Sequence, residues 1–356
     1  MTWPTEVELL RELVAIPSVS GAEDEVARFV EARARSAGLP VLRDPAGVSI
    51  RIPGTAPGPT LALVSHLDVV PPGEGWSRDP FTPVIEDGRL YGRGSGDAKA
   101  SVAAMLCAAE DVATAGGPTR GDLLVLFGLG EETRHTSMPA LVARAGAIDA
   151  AVVGEPTDLD LAVAQRGLMM VDLVASGGQR HAGRVTDDPP FSNALTALAR
   201  DLVRLDGLFR DRPHPVLGHP TVTPTMVSAG VSRNVTPPTA TAVLDVRSTP
   251  HWSHAELADG LRSALESEVV VTSDRLVPCE TPGRSRLLDA CGTVRPQARR
   301  YGSPTCSDWV FLRHTDAVKC GPGTSRRSHT PDECVDLAQV SGARRFYVAL
   351  AREYLQ

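Results

Sequence analysis

Aromatic residues make up only 4% of this 356-residue chain, and none of its six cysteines forms a C-x-x-C pair. Thiols scattered this way (Cys107, Cys279, Cys291, Cys306, Cys320, Cys334) read as reduced cysteines rather than a disulfide framework. Basic residues are not in excess: 36 Lys and Arg against 43 Asp and Glu leave a net charge of −7. That excludes the basic footprint of a nucleic-acid binder. No run approaches the roughly 20 apolar residues of a membrane-spanning helix. The start, MTWPTEVELLRELVAIPSVSG, sets Glu6, Glu8, Arg11 and Glu12 inside an amphipathic pattern. A secretory signal needs a basic start and an unbroken apolar centre. The expectation is a cytoplasmic protein with neither a membrane nor nucleic acid as partner. Repeats and low-complexity tracts are also lacking. What is present, 42% hydrophobic and 22% charged residues, describes a soluble chain of one large domain or two. Its core needs no covalent staples.

Apolar spacing predicts helices over 5–16 and 22–37, the second ending at Gly38. Short apolar runs bounded by turn residues follow: VSIRI, TLALVSHLDVV, DLLVLFGLG and AAVVGEP. A strong helix, KASVAAMLCAAEDVATAGG, lies between the second and third. Strands apolar on both faces and separated by helices predict a mostly parallel sheet with helices on both faces, an α/β domain. From about Gly167 the pattern becomes strand, helix, strand, strand, helix, strand, the order of the split motif in ferredoxin-like α+β domains. After about Arg275 it returns to α/β and closes with a helix, VSGARRFYVALAREYL. The expected organisation is a discontinuous α/β domain over 1–166 and 277–356, interrupted by an inserted α+β domain over 167–276.

Acidic and histidine residues gather where the apolar runs end. His66 and Asp68 close LALVSHLDVV, Glu131 and Glu132 follow LLVLFGLG, and Glu155 follows AAVVG. Asp97 sits in the glycine-rich YGRGSGDAKAS, and His329 in GPGTSRRSHTPDE before the last helix. Ligands collect at the carboxyl ends of strands in open parallel sheets. Each feature has an ordinary reading: His-x-Asp as a surface pair, Glu-Glu as a solvated loop, Asp97 as cap of the helix beginning near Lys99. Jointly they pose an electrostatic problem, because carboxylates packed together repel and burial raises the cost. Two divalent cations about 3.5–4 Å apart, sharing a carboxylate, remove it. Zinc accepts both imidazole and carboxylate. Asp68 is placed to orient His66.

The segments SHLDVVP, YGRGSGDAK, GLGEE, VVGEPT and GPG…SHTPDE together resemble the dinuclear zinc amidohydrolase and peptidase family. That family includes acetylornithine deacetylase, succinyl-diaminopimelate desuccinylase, aminoacylase and glutamate carboxypeptidase. The resemblance spans nearly the whole chain. It implies two Zn2+ (Co2+ or Mn2+ substituting), with His66 and Glu155 on one, Glu132 and His329 on the other, and Asp97 bridging. It also implies Glu131 as general base and acid, Asp68 as the partner of His66, and a cis peptide between Asp97 and Ala98. Side chains that alternate along extended backbone would let adjacent Glu131 and Glu132 divide base from ligand.

The inserted domain then corresponds to the family's lid, which implies a homodimer through that lid. His181 in GGQRHAGR resembles the histidine that reaches the active site, often from the partner subunit, to stabilise an oxyanion. Arg166, Asn234 and Arg247 are candidates to hold a substrate carboxylate, and Thr305 and Ser307 to line the substrate pocket. His135, His214, His219, His251, His254 and His314 read as surface residues. The expected function is hydrolysis of the amide of an N-acyl amino acid by metal-activated water, acetylornithine deacetylase-like or succinyl-diaminopimelate desuccinylase-like. The alternatives are a dipeptidase or carboxypeptidase, or a lysine-biosynthesis deacylase suggested by TCSDW. A metal-free binding or scaffold relative is the reading from another class.

Overall fold

The computed structural model describes residues 3–184 and 192–356. The chain divides into two compact units: Met1–Val163 with Glu280–Tyr301 and Ser307–Gln356, and Ala164–Cys279 with Gly302–Cys306.

The first unit is built on a sheet that is parallel in its centre. Strands Asp122–Gly128, Thr60–His66, Ala150–Val153 and Asp316–Lys319 lie side by side and parallel. Gly47–Pro53 and Val41–Asp44 extend it antiparallel at one edge. Every residue of Thr60–His66 is buried, the mark of a strand covered on both faces. Leu61, Leu63, Leu123, Val125, Phe127, Ala150 and Val152 point into one core with the helices Thr5–Ala15, Lys99–Thr114 and Leu337–Tyr354. On the opposite face Leu124 and Leu126 line a cavity together with Leu141 of the helix Met138–Ala145. The alanines of Lys99–Thr114 suit both helix formation and close packing, and twelve of its sixteen residues are buried. A separate three-stranded sheet (Val84–Glu86, Arg89–Tyr91, Cys334–Asp336) joins the segment after His329 to the segment before Asp97.

The second unit has a four-stranded antiparallel sheet in the order Thr221–Ala229, Thr239–Ser248, Gly167–Ser176, Glu268–Leu276. This is the ferredoxin-like strand order. Burial alternates along Gly167–Ser176 and Thr239–Ser248, so one face carries the core. Met169, Val171, Leu173, Leu244 and Val246 pack there against Leu198, Leu257 and Leu261 of the helices Ala194–Arg204 and His254–Ala264. Asn193 caps the first helix, and Ser253 forms a capping box with Glu256 on the second. The edge strand Thr221–Ala229 is exposed along nearly its whole length, Met226 and Val227 included.

Candidate active site

Parallel pairing brings the strand ends to one level. His66 stands opposite Gly128, and Val64 opposite Val153. His66 ends its own strand, Glu131 and Glu132 follow the second strand, and Glu155 follows the third. Asp97 arrives on a turn in which Gly94 takes φ +82, where a Cβ would stand 2.5 Å from Val69 Cγ1. Only glycine permits that approach. The Asp97–Ala98 peptide is cis. Asp97 does not cap the following helix: the cap position is Ala98, with no side-chain capping bond.

Among the described residues four groups of potential ligand atoms form, each within 4.8 Å: two contain Glu131 (with His66 and Glu132, and with His135 and Asp308), and two share Asp97, namely His66, Asp97 and Glu155, and Asp97, Glu132 and His329. His66 Nε2 lies 3.3 Å from Asp97 Oδ1 and 3.9 Å from Glu155 Oε1. His329 Nε2 lies 2.9 Å from Glu132 Oε1 and 3.6 Å from Asp97 Oδ2.

Glu131 and Glu132 do not lie in extended backbone as expected. Residues 131–134 form a turn, and the Asp68 carboxylate organises it. Asp68 accepts hydrogen bonds from the N–H groups of Glu131 and Glu132, both at 3.0 Å, and from Ser20 Oγ at 2.7 Å. The division of the two side chains therefore comes from a pinned turn, not from strand alternation. Asp68 also approaches His66 Nδ1, at 3.5 Å from its Oδ1 and 3.0 Å from its backbone carbonyl. The spacing HLD signals only that second relation.

The electrostatics show a site short of positive charge. Burial raises the Glu131 carboxyl well above its usual range, reinforced by Glu155, Asp308 and Glu132. Burial and Asp97 push Glu155 up to about 7, and burial also raises Glu132. Burial opposes the Asp68 charge, but His66, Ser20 and the Glu132 N–H outweigh it and hold the pKa at about 2. Asp97 is likewise lowered against burial by His66 and His329. Burial works against the His66 imidazolium too, yet Asp68 and Asp97 raise it well above normal, and the hydrogen bond to Glu132 raises His329.

These residues fit a cation. His66 Nε2 is buried without a hydrogen-bond partner while carboxylate oxygens face it. A nitrogen lone pair in that position needs a proton or a metal ion between itself and the oxygens. One imidazole and carboxylates in each group form a zinc-type donor set.

The remaining candidates each make contacts of their own. Ser307, in the first unit, receives the Trp309 N–H at the start of a 3-10 turn. In the second unit His181 is exposed, its Nδ1 accepting from Gly183 N–H. The Asn234 carbonyl accepts from Ala182 N–H, and its side chain from Ser232 Oγ. Arg166 donates to the carbonyls of Leu217, His219 and Arg247. Arg247 makes a two-pronged pair with Asp245, and Thr305 Oγ1 lies 3.0 Å from Ser303 Oγ.

Four histidines depart from the surface expectation, among them His219, which is half-buried with its ring Nδ1 out of solvent. His214 and His254 are buried, His254 bonding Ser248 Oγ and the Asp274 carbonyl. His135 has Nδ1 3.0 Å from Asp308 Oδ1 and 3.8 Å from Glu131 Oε1. The i, i+4 spacing from Glu131 was its one local signal; Asp308 is 173 positions away.

Residues 62–353 match the family model described as peptidase family M20/M25/M40. The chain is 33% identical over 377 aligned positions to succinyl-diaminopimelate desuccinylase of Phenylobacterium zucineum, with 98% of each chain covered. In fold it is similar to the crystal structure of aminopeptidase PepT from Bacillus cereus, with TM-score 0.84 and 19% identity over 99% of this chain and 98% of that one. It is also similar to an M20 family metallo-carboxypeptidase from Sulfolobus solfataricus, with TM-score 0.80 and 19% identity over 99% of each chain.

Proposed function

This chain belongs to peptidase family M20/M25/M40 and is a metallohydrolase of amide bonds; from that premise we propose that it removes the acyl group from an N-acyl amino acid, with an N-succinyl diamino acid as the preferred substrate. The similarity to a desuccinylase over 98% of both chains supports the substrate class. The peptidases of similar fold, at 19% identity, inform the fold alone.

The single observation that carries the chemistry is the buried His66 Nε2, which has no hydrogen-bond partner and faces carboxylate oxygens of two residues. We assign two zinc ions to the two groups that share Asp97, with His66 and Glu155 holding one, Glu132 and His329 the other. Cobalt or manganese would substitute. Bound there, the pair supplies Lewis acidity: charge stabilisation at the scissile carbonyl and acidification of water. Glu131 receives the proton of the attacking water and returns it to the departing amine. Asp68 keeps Glu131 in place through the turn that it pins.

In the inserted unit, His181 is assigned to the developing oxyanion, and Asn234 and Arg247 to the substrate carboxylate. Arg166, which also ties the 217–219 loop, Thr305 and Ser307 are assigned to substrate binding as well. We further propose a homodimer formed through this unit acting as a lid. The exposed edge strand Thr221–Ala229, with Met226 and Val227 on it, supports that reading. Among the described residues no disulfide is formed, as expected in a reducing cytoplasm, and no helix is long and apolar enough to cross a membrane.

A substrate panel tests the proposal. With zinc present, kcat/KM for succinyl-diaminopimelate is expected to exceed that for acetyl-ornithine, acetyl-lysine, acetyl-citrulline and simple dipeptides by about 100-fold or more, since a site built for a charged group rejects its analogues strongly. A dipeptide turned over fastest would replace this reading with a peptidase. No turnover and no bound metal would leave a scaffold protein.

A further inference from the structure

Glu333 lies four residues beyond His329 and is 1% exposed. Its carboxylate gathers four hydrogen bonds. It accepts from Arg93 Nη1 at 2.6 Å, and from the backbone N–H groups of Gly94 at 3.2 Å, Gly96 at 2.9 Å and Asp97 at 3.0 Å. Its own carbonyl accepts from Gly92 N–H. One residue thus holds both ends of the turn that delivers Asp97.

Its partner Arg93 is equally buried. It donates through Nη2 to the Pro72 carbonyl and lies 5.1 Å from the Trp76 ring centroid. Pairing of Cys334 with Tyr91 fixes the register in which Glu333 meets the turn. Next to it, Asp332 accepts from the N–H and Oγ of Ser77. The segments 72–77, 92–97 and 329–333 are therefore joined at one buried ion pair.

A buried ion pair is weak evidence for stability, because desolvation offsets attraction. What this one provides is placement. A ligand shared by two ions must be held to about half an ångström, and residues that orient ligands typically change metal affinity 10–100-fold when replaced. We infer that Glu333 is a positioning residue for the metal centre: it locks the Gly94–Asp97 backbone and binds that turn to the segment bearing His329, so that the ligand common to both ions and the second imidazole move as one piece. This inference rests on the dizinc reading above.

The test uses Glu333→Gln, nearly isosteric but a poorer acceptor, and Glu333→Asp, which keeps the charge while withdrawing it from the three N–H groups. Wild type and both variants are stripped and reloaded with cobalt or zinc. Affinity is followed by competition with a chelator, the site by the cobalt absorption spectrum, and turnover by separate kcat and KM. The expected result is second-ion affinity lowered 10–100-fold, an altered cobalt spectrum, and kcat reduced at least about tenfold with KM little changed. Wild-type affinity and spectrum in both variants, with only the melting temperature lowered, would overturn the inference. If Glu333→Gln does not fold, Glu333→Asp decides alone. A wild-type protein that fails to bind two ions would sink the dizinc reading instead.

Discussion

Buried carboxylates in the two units can behave in opposite ways. In the first, Glu131 and Glu155 are buried and Glu132 is half-buried after strand ends, with pKa values pushed upward by burial and by neighbouring carboxylates. In the second, Asp201 is just as buried, yet its pKa is lowered. Burial opposes the charge, but Ser267 Oγ and the N–H groups of Glu266 and Ser267 outweigh it. The difference lies in donors. A carboxylate that meets hydrogen-bond donors builds the fold, whereas carboxylates that meet one another wait for a cation.

The largest effect expected from this contrast is on turnover. Glu131→Gln should leave both ions bound while kcat falls about 1,000-fold. Metal analysis beside steady-state kinetics checks it, and wild-type kcat would remove Glu131 as the base. Asp201→Asn has no bearing on the reaction and should leave kcat per folded molecule unchanged.

Core packing comes next. Leu63 of the two-sided sheet and Leu244 of the one-sided sheet are both fully buried, so truncation of either to Ala should cost about 2–5 kcal/mol in denaturant melts. Val243, on the more open face of the second sheet, should cost clearly less. Equal losses at Leu244 and Val243 would contradict a one-faced core.

Acid should separate the units in metal-free protein. Glu155, with its folded pKa raised to about 7, contributes stability that is fully present below its unfolded pKa and is lost as pH rises through about 7. Asp201, with its folded pKa depressed, contributes stability present above about pH 4 and lost as pH falls through its folded value. Segment-resolved hydrogen exchange should show the strand ends of the first unit gaining protection from pH 8 to pH 5, while 201 and 266–267 hold theirs until well below pH 4. Parallel loss in both units across that range would break the comparison. The smallest effect is at a cap: Ser253→Ala removes half of a capping box and should lower stability by about 1 kcal/mol.

The same contrast explains what can be read from sequence. Runs such as 61–64 and 123–127 announce buried strands because every position is apolar, and alternation along 240–248 announces a one-faced sheet. The residues at the strand ends are legible as candidates for the same reason. Their allotment to ions is not, since it rests on resemblance. Long-range meetings are also hidden. The pinning of the 131–134 turn by Asp68, the contact of His135 with Asp308, and the grip of Glu333 on the Asp97 turn join residues 63 to 240 positions apart. No local pattern encodes them. The helix Met138–Ala145 and the small sheet of Val84–Glu86, Arg89–Tyr91 and Cys334–Asp336 are too short to stand out by periodicity.

Counting metal atoms per chain on purified, dialysed protein bears most directly on the central claim. The account predicts two zinc ions per polypeptide, falling to one or none in His66→Ala with loss of hydrolysis. Full amidase activity in protein that carries no divalent ion, or an unchanged ion count in that variant, would contradict it.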